Sequence, residues 1–264
     1  MYLLNLLSGK LSKTTRRPIG PSRQGRLARQ PFFSRLRARY DAATTTSDNQ
    51  RHWSAADGLS AGAANSPDVR RTLRNRSRYE VANNSYARGI TLTLANDVVG
   101  TGPRLQMLTD DANANRIVEQ EFLAWADEIS LAEKLRTMRL ARVSDGEAFC
   151  LLTSNPMVES RVQLDLRLVE ADQIASPSLT LDIGRYIDGI RFDVFGNPIS
   201  YDVLRHHPGD QTFSISAEYD TVRADAMIHY FRCDRPGQIR GVPDITPALP
   251  LFAQLRRYTL CAAE

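Results

Sequence analysis

Three carboxylates, Asp165, Glu170 and Asp172, stand close together on a stretch that alternates like a β-strand. Paired carboxylates bind Mg²⁺, so a metal-dependent nuclease site could be drawn from them. The carboxylate-x-lysine pair such a site would place on a strand is missing, because Lys134 is the only lysine after Lys13 and falls on a predicted helix. Solvated strand ends account for these acids. His206 and His207 are adjacent, so on a strand they would point to opposite faces and could not share a metal ion. His52 and His229 stand alone and read as hydrogen-bonded or surface histidines. Cys150, Cys233 and Cys261 are far apart and lack C-x-x-C spacing, which argues against a zinc site and against a disulfide framework. The sequence contains no G-x-S-x-G, no Walker-type glycine loop and no H-E-x-x-H. No catalytic residue, metal ligand or cofactor is therefore expected.

Charge divides the chain more sharply than its net value of +4 suggests. Residues 1–39 hold ten Lys/Arg and no Asp or Glu, leaving 24 basic against 30 acidic residues in the body. This first segment, rich in Ser, Pro and Gly, reads as a mobile tail. It could be a solvated arm, a nucleic-acid-contacting arm or a transit peptide. As a DNA-contacting arm it would use Arg16, Arg17, Arg23, Arg26, Arg29, Arg35, Arg37 and Arg39. The arginine excess is as readily a property of genome composition as of function. No apolar run approaches the roughly 18 residues of a membrane span, and Met1–Leu7 lacks a basic n-region. A soluble chain in a reducing, intracellular setting is expected.

The elements that must position these residues follow from periodicity. Tyr40–Ala64 is small and polar, an extended lead-in. Ser66-Pro67 predicts a helix start, and apolar residues from Val69 and Leu73 to Leu94 and Val98 recur at helical steps up to Gly100. One strut of roughly 30 residues, about 45 Å long, is expected. Asn113 or Asn115 should cap a helix through Val118, Phe122, Trp125, Ala126 and Ile129. Ser130 and Glu133 form the spacing of a capping box for the next. The period changes at Asp145-Gly146. From there Ala148–Thr153 and 162–168, then 189–194 and 199–205, predict two antiparallel strand pairs, with a further strand at Met227–Phe231. Gly237 and Gly241 allow turns in the loop from Arg235 to Pro243, where Arg235 and Arg240 are candidates to pair with carboxylates in the body or on a neighbouring subunit. A last helix opens at Thr246-Pro247 with Ala248, Leu251, Leu255, Thr259 and Ala262 on one side, and is still running at Glu264. The fold class is α+β. The expected organisation is a tail (1–39) and a body (40–264), itself helical over 64–144, β-rich over 147–231, and loop and helix over 235–264.

Several short stretches in this order resemble the lambda-type phage portal proteins. They include Tyr40-Asp41-Ala42-Ala43, His52-Trp53, the arginine run Arg71–Arg78 ending at Asn83-Asn84, and Val99-Gly100-x-Gly102. Further along are Asp145-Gly146-Glu147-Ala148-Phe149, Leu168–Ile174, Asp188-Gly189-Ile190, Gly196-x-Pro198, His207-Pro208, Ile228-His229 and Arg235-Pro236-Gly237-Gln238-x-Arg240-Gly241-Val242-Pro243. The resemblance covers residues 40–264 and implies a non-enzymatic ring, usually dodecameric, at one capsid vertex, through which double-stranded DNA is packaged and ejected. It implies further copies of itself, terminase, head-completion proteins and the major capsid protein as partners, and no membrane. The expected location is the virion, and the bacterial host cytoplasm during assembly. Structural or intersubunit roles then fall to Arg71, Arg74, Arg76, Arg78, Asn83, Asn84, Arg235, Gly237, Gln238, Arg240 and Gly241. The family continues into stem, clip and crown elements beyond the equivalent of Glu264, so the chain is expected to represent the wing portion and not to form a working portal by itself. Two other classes remain open: a nucleic-acid-binding protein acting through its tail, and a packaging-associated nuclease.

Overall fold

A computed structural model describes residue 43 and residues 46–176, 185–210 and 218–263. The tail arginines proposed for DNA contact lie outside the described residues. The chain divides into two units, Met1–Asp57 and Gly58–Glu264. In the first, residues 47–55 form turns, Thr46 and Asn49 exchange backbone-to-side-chain bonds, and the His52 and Trp53 rings meet edge-on at 5.9 Å.

The second unit opens with a single-turn helix, α1 (Ala61–Ala64), where only an extended lead-in was expected. The predicted strut is two helices, α2 (Pro67–Asn83) and α3 (Ser85–Val99). Asn84 separates them: its backbone is extended, and its side chain accepts from the amides of Tyr86 and Ala87. An asparagine carbonyl satisfies orphan first-turn amides as well as serine does, so a second helix nucleates where the first stops. The Ser66 side chain makes no such bond at the start of α2.

The apolar stripe found the buried face only in part: Leu73 and Leu94 are partly buried and pack against the core. Val69, Tyr86, Ile90 and Val98 are 40–64% exposed, whereas α2 buries Arg70, Arg74, Ser77 and Glu80 and α3 buries Ala87, Thr91 and Ala95. Small residues let helices approach closely, and the buried charges have partners elsewhere in the chain.

Helix α4 (Ala112–Glu128) is capped by Asp111, which outcompetes Asn113 and Asn115 because its carboxylate reaches two free amides. Helix α5 (Leu131–Asp145) starts at Ser130, held in the left-handed region (φ 54°) with no side-chain cap, so the capping box does not form. Gly146 (φ 91°) ends α5 and feeds β1 (Glu147–Ser154).

Strand β1 is central in a three-stranded antiparallel sheet between β2 (Leu164–Val169) and β7 (Met227–Phe231). A second antiparallel sheet runs in the order β3 (Tyr186–Ile187), β4 (Ile190–Phe192), β5 (Pro198–Leu204), β6 (Tyr219–Arg223). Of these, β3 and β6 were not predicted. Alternation along β1 sends Ala148 and Cys150 against Ala126, Ile129, Leu131 and Met138 of the helices, and Phe149 against Ile190, Tyr201 and Val203 of the second sheet. Helices, small sheet and second sheet thus form three layers, and β1, buried on both faces, reads as a nearly continuous apolar run. A third cluster joins Ala87 and Val143 to Ile245 and to Leu249 and Phe252 of the carboxy-terminal helix α6 (Leu249–Ala263). That helix follows a 3-10 turn (Thr246–Ala248) and buries Leu249 and Phe252, leaving the predicted face residue Leu251 64% exposed. No helix among the described residues is long and apolar enough to cross a membrane.

Candidate functional site

Arg70, Arg74 and Arg78 recur every four residues on α2 and therefore share one face. That face lies against the junction of α5 and β1. Gly146 turns the chain so that Glu147 is the first residue of β1, with a fully buried side chain. Arg240, from the loop after β7, is 2% exposed and lies beside it. Its Nε stands 3.0 and 2.9 Å from the two Glu147 oxygens and its Nη2 2.7 Å from Oε1. Its Nη1 donates to Asp188 Oδ2 at 2.6 Å and to the carbonyls of Asp188 and Ile174, while Nη2 also reaches the Ala171 carbonyl. A planar guanidinium has five donors in a fixed fork, and this site supplies acceptors all round it.

The α2 arginines complete the arrangement. Arg74 donates to Glu147 Oε1 at 3.1 Å and to Asp172 Oδ1 at 2.7 Å. Arg78 forks onto Asp145 at 2.8 and 2.9 Å and lies 2.8 Å from Asp172 Oδ2. Arg70 pairs with Asp188 and with the Asn65 carbonyl. Asp188 reaches this depth because Asp188-Gly189 is a two-residue hairpin turn between β3 and β4, with φ of 51° and 78°. Positive φ at both positions is the geometry Asp-Gly favours. His229 on β7 stacks between Phe149 and Phe231, with Nε2 2.9 Å from Glu147 Oε2, and the Gly241 amide donates to the same oxygen at 3.0 Å.

Four arginines thus face the four carboxylates of Asp145, Glu147, Asp172 and Asp188. Burial alone would push the Glu147 carboxyl up, but Arg240 and the His229 bond hold it well below the usual carboxylate range. Arg74 and Arg78 likewise override burial and lower Asp172. Burial, followed by repulsion from Arg240, lowers Arg70 to about 10, so it stays cationic at neutral pH. Burial also lowers His229, outweighing the pull of Glu147.

Glycines make the close approach possible. A Cβ on Gly241 would lie 2.0 Å from the Gly146 carbonyl oxygen, and one on Gly146 would lie 2.5 Å from the Val242 carbonyl carbon. In the adjoining loop Gln238 accepts from the Asp234 amide and donates to the carbonyls of Arg232 and Arg240, while Gly237 takes φ 80°. Asn65 donates to the Arg240 carbonyl at 2.9 Å.

The other sequence-selected residues lie outside this centre. Arg71 is exposed, 3.7 Å from Asp68, and Arg76 is exposed. Asn83 donates to the Tyr79 carbonyl, and Asn84 donates to the Phe252 carbonyl of α6. Arg235, also exposed, donates to the Leu59 carbonyl. Arg70, Glu147, Asp188 and His229 were not among the selected residues. The available signals were Arg70, one helical turn before Arg74, and the stretches carrying the family resemblance, which contain Glu147, Asp188 and His229.

The acids first suspected of metal chemistry are divided among cations. Asp165 is held by Lys134 and Asn155. Asp172, expected at a solvated strand end, is half-buried beside Arg74 and Arg78. Glu170, Asp172 and His207 do converge, with ligand atoms all within 4.8 Å of one another. His207 follows β5, so the opposite-face argument for the histidine pair does not apply. However, its Nδ1 accepts from the Gly209 amide at 3.0 Å, which puts the proton of the neutral ring on Nε2, the atom facing Glu170 at 3.2 Å. A protonated Nε2 has no lone pair for a metal, and Arg78 already supplies positive charge to both acids.

What the fold and this centre define is a structural α+β body locked by a buried ion network. The description "Phage portal protein, lambda family" matches residues 46–262, and the chain belongs to that family. It is 30% identical over 191 residues to the probable portal protein of Halomonas phage phiHAP-1, an alignment covering 64% of this chain and 36% of that relative. The chain thus spans about a third of the length of the curated relative it matches.

Proposed function

We propose that this chain is a structural, non-enzymatic part of a portal subunit, contributing the wing of a ring at one capsid vertex through which double-stranded DNA passes during packaging and ejection. The family match over residues 46–262 carries the reading. The buried centre is consistent with it, because its acids and cations are committed to one another and give the body rigidity. In this reading the ring is built from copies of the subunit and docks the terminase, the head-completion proteins and the major capsid protein, first in the host cytoplasm and then in the virion. The basic segment before residue 40 would add sequence-independent, salt-sensitive DNA affinity. Immunogold electron microscopy of phage particles with an antibody to this chain tests the assignment. Label at a single vertex is expected, and label spread over the shell, or none on any particle, would overturn it.

A further inference from the structure

The sequence contains three Asp-Gly pairs, Asp57-Gly58, Asp145-Gly146 and Asp188-Gly189. Each carries a latent reaction. The glycine amide nitrogen can attack the carboxyl carbon of the aspartate side chain, because glycine has no Cβ to hinder the approach. Water leaves, taking a carboxyl oxygen and the amide hydrogen, and a five-membered succinimide closes. A second water then adds to one of the two ring carbonyls. Addition at the side-chain carbonyl restores aspartate, whereas addition at the main-chain carbonyl breaks the original peptide bond and leaves isoaspartate, joined to glycine through its side chain. Only water is exchanged.

The fold treats the three pairs differently. Asp145 is forked by Arg78, and the Gly146 amide donates to the Arg142 carbonyl at 3.1 Å where α5 ends. Asp188 is held by Arg70 and Arg240, and the Gly189 amide donates to the Ser176 hydroxyl at 2.9 Å. Both glycines are also walled in: a Cβ would lie 2.5 Å from Val242 on Gly146 and 2.8 Å from Ala175 on Gly189. A carboxylate clamped by guanidinium groups cannot swing onto its own backbone, so these two pairs must open locally before they react. Asp57-Gly58 is built the other way. Both residues are exposed in irregular backbone before α1, a Cβ on Gly58 would meet nothing within 4 Å, and among the described residues no hydrogen bond engages the Gly58 amide. The chain is anchored just after the pair, at Leu59, whose carbonyl accepts from Arg235 at 3.0 Å, and at Ser60, which caps α1. We propose that Asp57-Gly58 is a site of spontaneous isoaspartate formation that the native fold leaves open, while the buried charge centre closes the two other pairs. The methylene that the reaction adds to the main chain falls ahead of the anchored backbone and outside that centre.

Incubating the 264-residue chain at neutral pH, native and in parallel unfolded in guanidinium chloride, tests this. Trypsin releases the three pairs on separate peptides, residues 52–70, 143–161 and 186–191. Isoaspartate in each is counted by methyl transfer from S-adenosylmethionine, with an isoaspartyl methyltransferase as the reagent, and located by electron-transfer fragmentation. In the native chain peptide 52–70 should convert at least about tenfold faster than the others, the factor that about 1.4 kcal/mol of opening free energy imposes. Unfolding should bring the three rates together. Gly58→Ala should slow conversion at Asp57 with the far-ultraviolet circular dichroism unchanged. Equal native rates, a rate order that persists in the unfolded chain, an Asp57 that converts only after unfolding, or a Gly58→Ala chain as fast as the parent would each overturn the proposal.

Discussion

Replacing Arg240 by methionine removes a cation from the centre of the buried network and leaves most of its shape. The lost bonds include three to Glu147, one to the Asp188 carboxylate and three to main-chain carbonyls. A buried ion pair adds little net stability over an apolar replacement, but removing one partner strands the other, at a cost of about 3–5 kcal/mol. Arg74 and His229 still reach Glu147, which places the expected loss in that range and not above it. Against a total of about 5–15 kcal/mol for an ordinary domain, this would leave the unit marginal. At about 3 kcal/mol per molar, the urea midpoint should fall by at least about 1 M. Arg71→Met is the control: exposed and 3.7 Å from Asp68, it should change stability by less than about 0.5 kcal/mol. Glu147→Gln combined with Arg240→Met should cost less than the sum of the single changes, since the stranded charge disappears. An Arg240→Met loss below about 1 kcal/mol, or one equal to that of Arg71→Met, would refute the argument that this charge centre holds the layers together.

Gly241→Ala forces a methyl against the Gly146 carbonyl and should destabilise the unit by about 1–3 kcal/mol, whereas Gly62→Ala, with open space around it, should not; thermal melts of both compare them. Asn84→Ala removes the cap of α3 and the bond to Phe252, and should cost about 1–2 kcal/mol in denaturant titration. For His229 the folded-state pKa is depressed below 6.5, so between that value and 6.5 the unfolded chain binds the proton and the folded one does not. Stability should therefore fall as pH drops below about 6.5, and fall again below about 4.5 as the depressed Glu147 and Asp172 carboxylates lose their advantage. His229→Gln should flatten the first decline and leave the second, as measured by urea midpoints from pH 7 to 3.5.

The α+β class, the change of architecture at Asp145-Gly146 and the two antiparallel pairs were legible because period 2 and period 3.6 are local properties. The break at Asn84 was less visible, since an apolar stripe continues through it and only the capping chemistry of Asn-Ser marks the joint. Apolar periodicity also missed the most deeply buried face of α2, catching only Leu73 at its edge. It counts no arginine as buried, and the partners that make burial tolerable, Asp188 and Glu147, lie 118 and 73 residues away. The centre was partly legible for a related reason. Arg74, Arg78, Arg240 and Gly241 stood out as unusual residues, while Glu147 passed as the ordinary start of a strand and Asp188 was noticed only within a stretch that carries the family resemblance. Nothing local to a carboxylate reveals that an arginine from the far end of the domain will cover it.

The distance along the chain between Glu147 and Arg240, 93 residues, also sets a timetable for synthesis. At about 5–20 residues per second, a ribosome needs about 5–20 s to travel from one to the other. Throughout that interval the first strand of the small sheet has its acid but not its main counter-ion, and β7, which pairs along its edge, is completed only near the end of it, at Phe231. Arg74 is already made and can reach Glu147, but without Arg240 the acid lacks most of its bonds and stays in contact with water, so the helices can assemble early while the layers close only when the last loop clears the exit. A ribosome stalled before residue 240 should display a nascent chain whose helices are formed and whose Glu147 amide still exchanges freely with solvent.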